Sequence, residues 1–115
     1  MNLDVRVVDQ GGDPVVVALA GELDVAAVPK LAAVLDQLIL DGTSRILVDL
    51  EGVDFIDSSG LRALVATLRR LEADGGSLHL VRPGPRILKV LTIAGLTSLF
   101  TILDPPDSAV ADQGS

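Results

Sequence analysis

Two adjacent hydroxyls, Ser58 and Ser59, stand between Asp57 and Gly60, with the carboxylates of Asp49, Glu51 and Asp54 shortly before them. Several chemistries could draw on such a set. A serine nucleophile on a strand-to-helix elbow needs Gly-x-Ser-x-Gly, and here Gly60 fits but Ile56 stands two positions before Ser58. The sole histidine, His79, falls between Leu78 and Leu80 in a strand-like pattern, where its ring is satisfied or solvated rather than poised as a base. Ser58 is therefore not an activated nucleophile. A receiver-type aspartyl phosphate would put its acceptor at Asp49, with Glu22 and Asp24 as an acidic pair for Mg²⁺. No lysine follows the last strand pattern to neutralise an acyl phosphate; Asp104 and Pro105 stand there instead. Asp49, Glu51, Asp54 and Asp57 as a metal site compete with a plainer role in turns and at a helix N-terminus, which fits them better. A Gly-rich loop followed by Lys and Ser/Thr is missing, so no nucleotide is bound by a P-loop, and no cofactor or metal is called for.

What remains is a helix start. Leu61, Leu64, Val65, Leu68 and Leu71 recur at helical spacing, which sets the two serines at the N-terminus of that helix. A serine cap contributes about 1 kcal/mol, and one serine is enough for it. Whichever of the two caps, the other hydroxyl is left on a helix end whose amides and dipole accept a phosphate. Asp57 and Asp54 would oppose that phosphate, so the site could carry one while changing sharply in charge. On the residues alone, cap and phosphate acceptor both stay open.

The elements that must position these hydroxyls follow from hydropathy patterning. Residues 3–9 alternate, with Leu3, Val5 and Val7 on one face and Asp4 and Arg6 on the other, as in a half-exposed strand at or near a sheet edge. Residues 10–14 form a hairpin turn, and 15–20 read as a strand covered on both faces. Gly21-Glu-Leu-Asp24 is a connection and 24–27 a tight turn. A helix over 28–40 carries Pro29 near its first position and buries Val28, Leu31, Leu35, Leu38 and Ile39. The spacing predicts a strand over 45–50, a ten-residue connection, and the serine-bearing helix over 60–73. A strand over 77–81, a helix over 85–94 with Ile87, Leu88, Val90, Leu91 and Ala94 apolar, and a short strand over 100–103 complete the order β-β-α-β-α-β-α-β. Helices alternating with strands imply an α/β layer fold, with a sheet that is largely parallel beyond the first hairpin.

Composition narrows the partners. The chain has 115 residues, enough for one core, and 49% of them are hydrophobic, so it is globular. Its net charge of −7, with Lys30 and Lys89 the only lysines, argues against a phosphate-backbone partner. Aromatic residues make up only 2%, too few for base-stacking platforms. The absence of cysteine excludes disulfides and thiolate metal sites. Asp4, Arg6 and Asp9 rule out a signal peptide in the first residues, and the apolar run at 15–20 is too short to span a bilayer. A soluble, cytoplasmic domain is expected.

The stretch Leu50-Glu-Gly-Val-Asp-Phe-Ile-Asp-Ser-Ser-Gly-Leu61 resembles the signature of bacterial anti-sigma factor antagonists, which are single STAS domains. Gly21-Glu-Leu-Asp24 with Pro29 resembles that family's first βα connection, and Ala94-Gly-Leu-Thr-Ser-Leu-Phe100 its last helix exit. The resemblance covers about residues 3–103. It implies a STAS-like fold with helices packed on a mixed, mostly parallel five-stranded sheet, occupying 1–104; from Asp104 the composition turns to Pro, Asp, Ser, Gln and Gly, so a flexible tail is expected over 105–115. It implies a non-enzymatic regulator whose unmodified form binds an anti-sigma factor with serine kinase activity and so frees a sigma factor. Phosphorylation on Ser58 then releases the partner, and a metal-dependent serine phosphatase restores the antagonist. Asp24, Asp57, Ser58, Ser59 and Gly60 fall on the implied contact surface. The same resemblance extends to an alternative, a STAS-type structural subunit of a stress-sensing or transport-associated complex. A monomer or weak dimer is expected of the antagonist.

Overall fold

A computed structural model describes residues 2–8 and 13–103. Residues 10–12 of the turn expected over 10–14, the end of the first strand at Asp9 and the tail over 105–115 lie outside the described residues. Five strands and three helices follow in chain order: β1 (Leu3–Val8), β2 (Val15–Leu23), α1 (Val28–Leu40), β3 (Arg45–Ile56), α2 (Ser58–Ala73), β4 (Ser77–Val81), α3 (Pro85–Ile93) and β5 (Thr101–Leu103). They build one sheet in the order β1-β2-β3-β4-β5. β1 pairs antiparallel with β2, and every later pairing is parallel. β1 is thus an edge strand, as its alternating sequence implies.

The strands bury one face. Val15, Val17 and Leu19 of β2 line up with Ile46, Val48 and Leu50 of β3 and with Leu78 and Leu80 of β4. Leu31 and Leu35 of α1, Leu64, Leu68 and Leu71 of α2, and Ile87 and Leu91 of α3 pack on that face. At roughly 25 cal/mol per Å² of apolar surface removed from water, this aliphatic layer is what holds the helices to the sheet. The expectation that 15–20 is covered on both faces is corrected. Val16 and Ala18 on the other face are only half-buried and Ala20 is exposed, because the packed helices lie against the side that carries Val15, Val17 and Leu19. Of the expected α1 stripe, Leu31 and Leu35 are buried while Val28, Leu38 and Ile39 sit at its margin.

β2 and β3 are both longer than the sequence pattern implies. Gly21 to Leu23 belong to β2 rather than to a connection, and β3 runs on to Ile56. The expected ten-residue link to α2 shrinks to Asp57 alone, and α2 starts at Ser58 instead of residue 60. Gly52 falls in that expected link, yet it sits in the strand and serves close strand approach. A Cβ there would meet the Ala20 Cβ at 2.9 Å and the Leu19 carbonyl oxygen at 3.0 Å. The β2–β3 register slips between Ala18 and Ala20 and again between Gly21 and Glu22, which keeps pairing intact as far as Leu23 and Ile56. α3 ends at Ile93 and β5 begins at Thr101, each within one residue of expectation.

Candidate functional site

The two elongated strands end side by side, and the site is built on their ends. The amide of Asp57 donates to the Leu23 carbonyl at 3.3 Å, tying the start of α2 to the end of β2. One residue further along that neighbouring chain is Asp24, whose carboxylate and carbonyl both accept from the Ala27 amide at 3.0 Å. The turn over 24–27 is therefore set from within and stands next to the start of α2. Gly60 makes the closeness possible: a Cβ at that position would lie 2.6 Å from the Leu23 carbonyl oxygen and 2.7 Å from the Leu23 Cγ. Gly60 is buried, so it shapes the site and offers no surface of its own.

Asp57 caps α2. Its Oδ1 accepts from the amides of Ser59 at 2.9 Å and Gly60 at 3.1 Å, with an extended backbone of φ −112° and ψ −176°. The expectation that one of the two serines caps is corrected. Aspartate is at least as good an N-cap and its carboxylate also complements the positive end of the helix dipole, so both hydroxyls are left without a capping task. Ser58, at the first helical position, is exposed; Ser59 is half-buried. Arg62, one turn on, points its Nη2 at the Ser58 Oγ from 3.5 Å.

The remaining sequence candidates fall elsewhere. His79 pairs in register with Leu47, nine residues up β3 from Ile56, roughly 25–30 Å away at strand rise. Asp49 faces Arg82 across β3 and β4, with 2.6 Å between its Oδ2 and the Arg82 Nη2, and Glu51 reaches the same nitrogen at 3.3 Å. These two carboxylates are engaged in a pair on the half-exposed side of the sheet, away from Ser58. Among the described residues no group of three His, Cys, Asp or Glu side chains is placed to hold a metal ion. Asp24, Asp57, Ser58, Ser59 and Gly60 are thus brought together, while His79, Asp49 and Glu51 are not.

Sequence reasoning missed two apolar residues at this site. Phe55, paired with Glu22 at the strand ends, is 47% exposed, and Val25, in the turn after Asp24, is 67% exposed. They give the strand ends an apolar border next to the polar centre. Beside Ser58 an apolar furrow runs between α2 and the exit of α3, lined by Leu61, Val65, Ala66 and Leu96 with Arg62 and Arg69 at its rim. Arg62 was also missed, although its four-residue spacing from Ser58 on a helix was there to be read.

A strand pair ending at a capped helix with a bare serine, on a five-stranded α/β layer, is the geometry of a STAS domain, and the STAS domain family model matches residues 4–109. The anti-sigma-B factor antagonist of Staphylococcus aureus is 40% identical over 86 residues, covering 75% of this chain and 80% of that protein. The solved structure of the anti-sigma factor antagonist SpoIIAA in its unphosphorylated form superposes with a TM-score of 0.80 at 29% identity, covering 96% of this chain and 95% of that one. The phosphorylated form of the Bacillus cell fate determinant SpoIIAA superposes with a TM-score of 0.74 at 29% identity, over 97% of this chain and 100% of that one. The chain belongs to the anti-sigma factor antagonist family of STAS-domain proteins, which are non-enzymatic regulators. No helix among the described residues is long and apolar enough to cross a membrane.

Proposed function

We propose that this chain is an anti-sigma factor antagonist acting in the cytoplasm by partner switching. The unmodified form binds an anti-sigma factor that is also a serine kinase, and so frees a sigma factor. Phosphorylation of Ser58 breaks that complex, and a metal-dependent serine phosphatase restores the starting state. The observation that carries this reading is the division of labour at α2: Asp57 satisfies the helix end, which leaves the exposed Ser58 hydroxyl free to be modified without unfolding the helix. Asp24, Asp57 and Ser59 border the acceptor, Val25 and Phe55 add the apolar part of the contact, and Gly60 lets the two halves approach.

The physics of the switch is electrostatic. A phosphoryl group adds about −1.5 to −2 charges. It would stand beside Asp57, in the middle of a contact that has to shed water. A loss of a few kcal/mol lowers affinity by two or more decades, with no change of fold. A monomer or weak dimer suffices for this role.

The test is phosphorylation by the cognate kinase with ATP, read by intact-mass and peptide mass spectrometry. The parent protein takes up one phosphate on the Ser58 peptide and leaves the kinase. Full labelling of Ser58→Ala would remove Ser58 as the acceptor.

A further inference from the structure

Ser58 and Arg62 lie four residues apart on α2, the spacing at which helix side chains become neighbours on one face. Helical side chains lean toward the N-terminus, so Arg62 reaches back over the first turn. Its Nη2 stands 3.5 Å from the Ser58 Oγ, at the outer limit of a hydrogen bond to the bare hydroxyl. A phosphoryl group on that oxygen projects three acceptor oxygens beyond it, into the reach of a guanidinium fork whose geometry suits phosphate.

Among the described residues, the other groups around Ser58 do not supply a cation. Two amides that a phosphate could otherwise use, those of Ser59 and Gly60, are held by the Asp57 carboxylate. The charged neighbours from the elements packed here are acidic: Asp57 on the cap, Asp24 in the turn joined to it through Leu23, and Asp54 near the end of β3. Across the furrow the α3 exit brings Ala94 and Leu96, which carry no charge. Arg69, the other rim cation, lies about two turns further along α2 than Arg62.

We propose that Arg62 is the counter-cation of phosphorylated Ser58. The inference rests on the reading of Ser58 as the acceptor and says what becomes of the phosphate once it is there. The guanidinium draws the phosphoryl group back along α2, over the mouth of the furrow. One modification then makes two changes to the surface. It adds negative charge at the centre of the contact, and it withdraws from a partner one of the two arginines on the furrow rim.

The experiment uses the full chain with phosphoserine encoded at position 58, so that no kinase is involved, and follows the phosphate by ³¹P NMR as pH is varied at low salt. A cation at this spacing favours the dianion. Arg62→Gln therefore raises the phosphate's second pKa by about 0.3 of a pH unit or more. Arg62→Lys keeps much of the difference, and about 1 M salt removes it. Arg69→Gln leaves the titration unchanged. Identical titrations for the parent and Arg62→Gln overturn the proposal, as does an equal shift in Arg69→Gln. Because the phosphoserine is encoded, a failure of kinase labelling at Ser58 would count against the acceptor reading alone, and a titration unchanged by Arg62→Gln against Arg62 alone.

Discussion

The amide of Asp57 and the carbonyl of Leu23 meet at 3.3 Å, and this one hydrogen bond joins the first turn of α2 to the turn that carries Asp24. Two segments separated by more than thirty residues thereby form one surface. Asp57 is the hinge of the arrangement, since the same residue caps α2 through its side chain. Asp57→Ala is expected to lower stability by about 1 kcal/mol, within the usual range for a lost N-cap. For a domain of this size that is a fall of about 4 °C in melting temperature. Asp57→Asn, which still accepts hydrogen bonds, should recover most of it in thermal unfolding followed by circular dichroism.

The two serines should behave differently. Ser58→Ala should fold as the parent does and bind the cognate anti-sigma factor, because its hydroxyl caps nothing and is exposed. Ser58→Asp should bind at least tenfold more weakly by calorimetry, a loss of about 1.4 kcal/mol or more. It imitates only part of the charge of a phosphate, so the modified protein should be weaker still. Ser59→Ala should still be labelled to one phosphate per chain. Equal binding by Ser58→Asp and the parent would count against the electrostatic switch.

Gly60 looks replaceable by alanine on helix propensity, which favours alanine by about 1 kcal/mol. The structure predicts the opposite sign. The added methyl would press on the Leu23 carbonyl oxygen at 2.6 Å and the Leu23 Cγ at 2.7 Å, and Ile56 Cγ1 is only 3.1 Å away. A backbone oxygen at the end of a paired strand cannot swing aside as a flexible side chain does. Overpacking of this kind costs typically 1–3 kcal/mol, enough to exceed the propensity gain. Urea unfolding of Gly60→Ala should show a lower midpoint; a rise would mean that α2 can slide off β2 freely.

Much of this architecture was legible in the chain. Leu31 with Leu35 and Leu64 with Leu68 carry a helical period, and Ser77 to Val81 a strand one, so α1 and β4 fall within their expected bounds. The link before Ser58 was not, for a physical reason. Gly52 and the acidic residues around it are turn formers by local preference, but tertiary pairing with β2 uses the glycine's missing side chain and draws residues 51–56 into the strand. The cluster of Asp57, Ser58, Ser59 and Gly60 was visible because it is contiguous. Val25 and Phe55 were not, because their nearness to the serines depends on where two strands end; the helical spacing of Arg62 from Ser58 was in the chain, but the approach of its side chain to that hydroxyl needed the structure.

Asp49 offers a check on the discarded receiver chemistry. Its pair with Arg82 is partly sheltered, with side-chain exposures of 14% and 34%. Asp49→Asn should therefore lower stability by about 1–2 kcal/mol, the range for a charge-assisted bond in such surroundings. It should leave phosphate uptake at Ser58 unchanged, since the carboxylate lies several residues up β3 from that serine. If acetyl phosphate labelled the parent protein and Asp49→Asn abolished that labelling, aspartyl chemistry would return.

Phe55 and Val25 separate binding from folding. Both are large and apolar, and at 47% and 67% exposure neither contributes much to the core. Truncating them should hardly move the melting temperature, because little surface buried within the chain is lost. A partner that covers the strand ends would desolvate both, and apolar anchors near the centre of a contact commonly lose 1–2 kcal/mol or more on truncation to alanine. Phe55→Ala should accordingly weaken binding to the cognate anti-sigma factor by roughly tenfold, mainly through faster dissociation. Val25→Ala should have a smaller effect, in proportion to its smaller side chain. Surface plasmon resonance can read both, with Leu40→Ala as the control: that residue is 77% exposed, and it stands at the far end of α1 from the Asp24 turn. Should Leu40→Ala weaken the complex as much as Phe55→Ala, the partner would have to reach the far end of α1, and a contact centred on Ser58 would be ruled out.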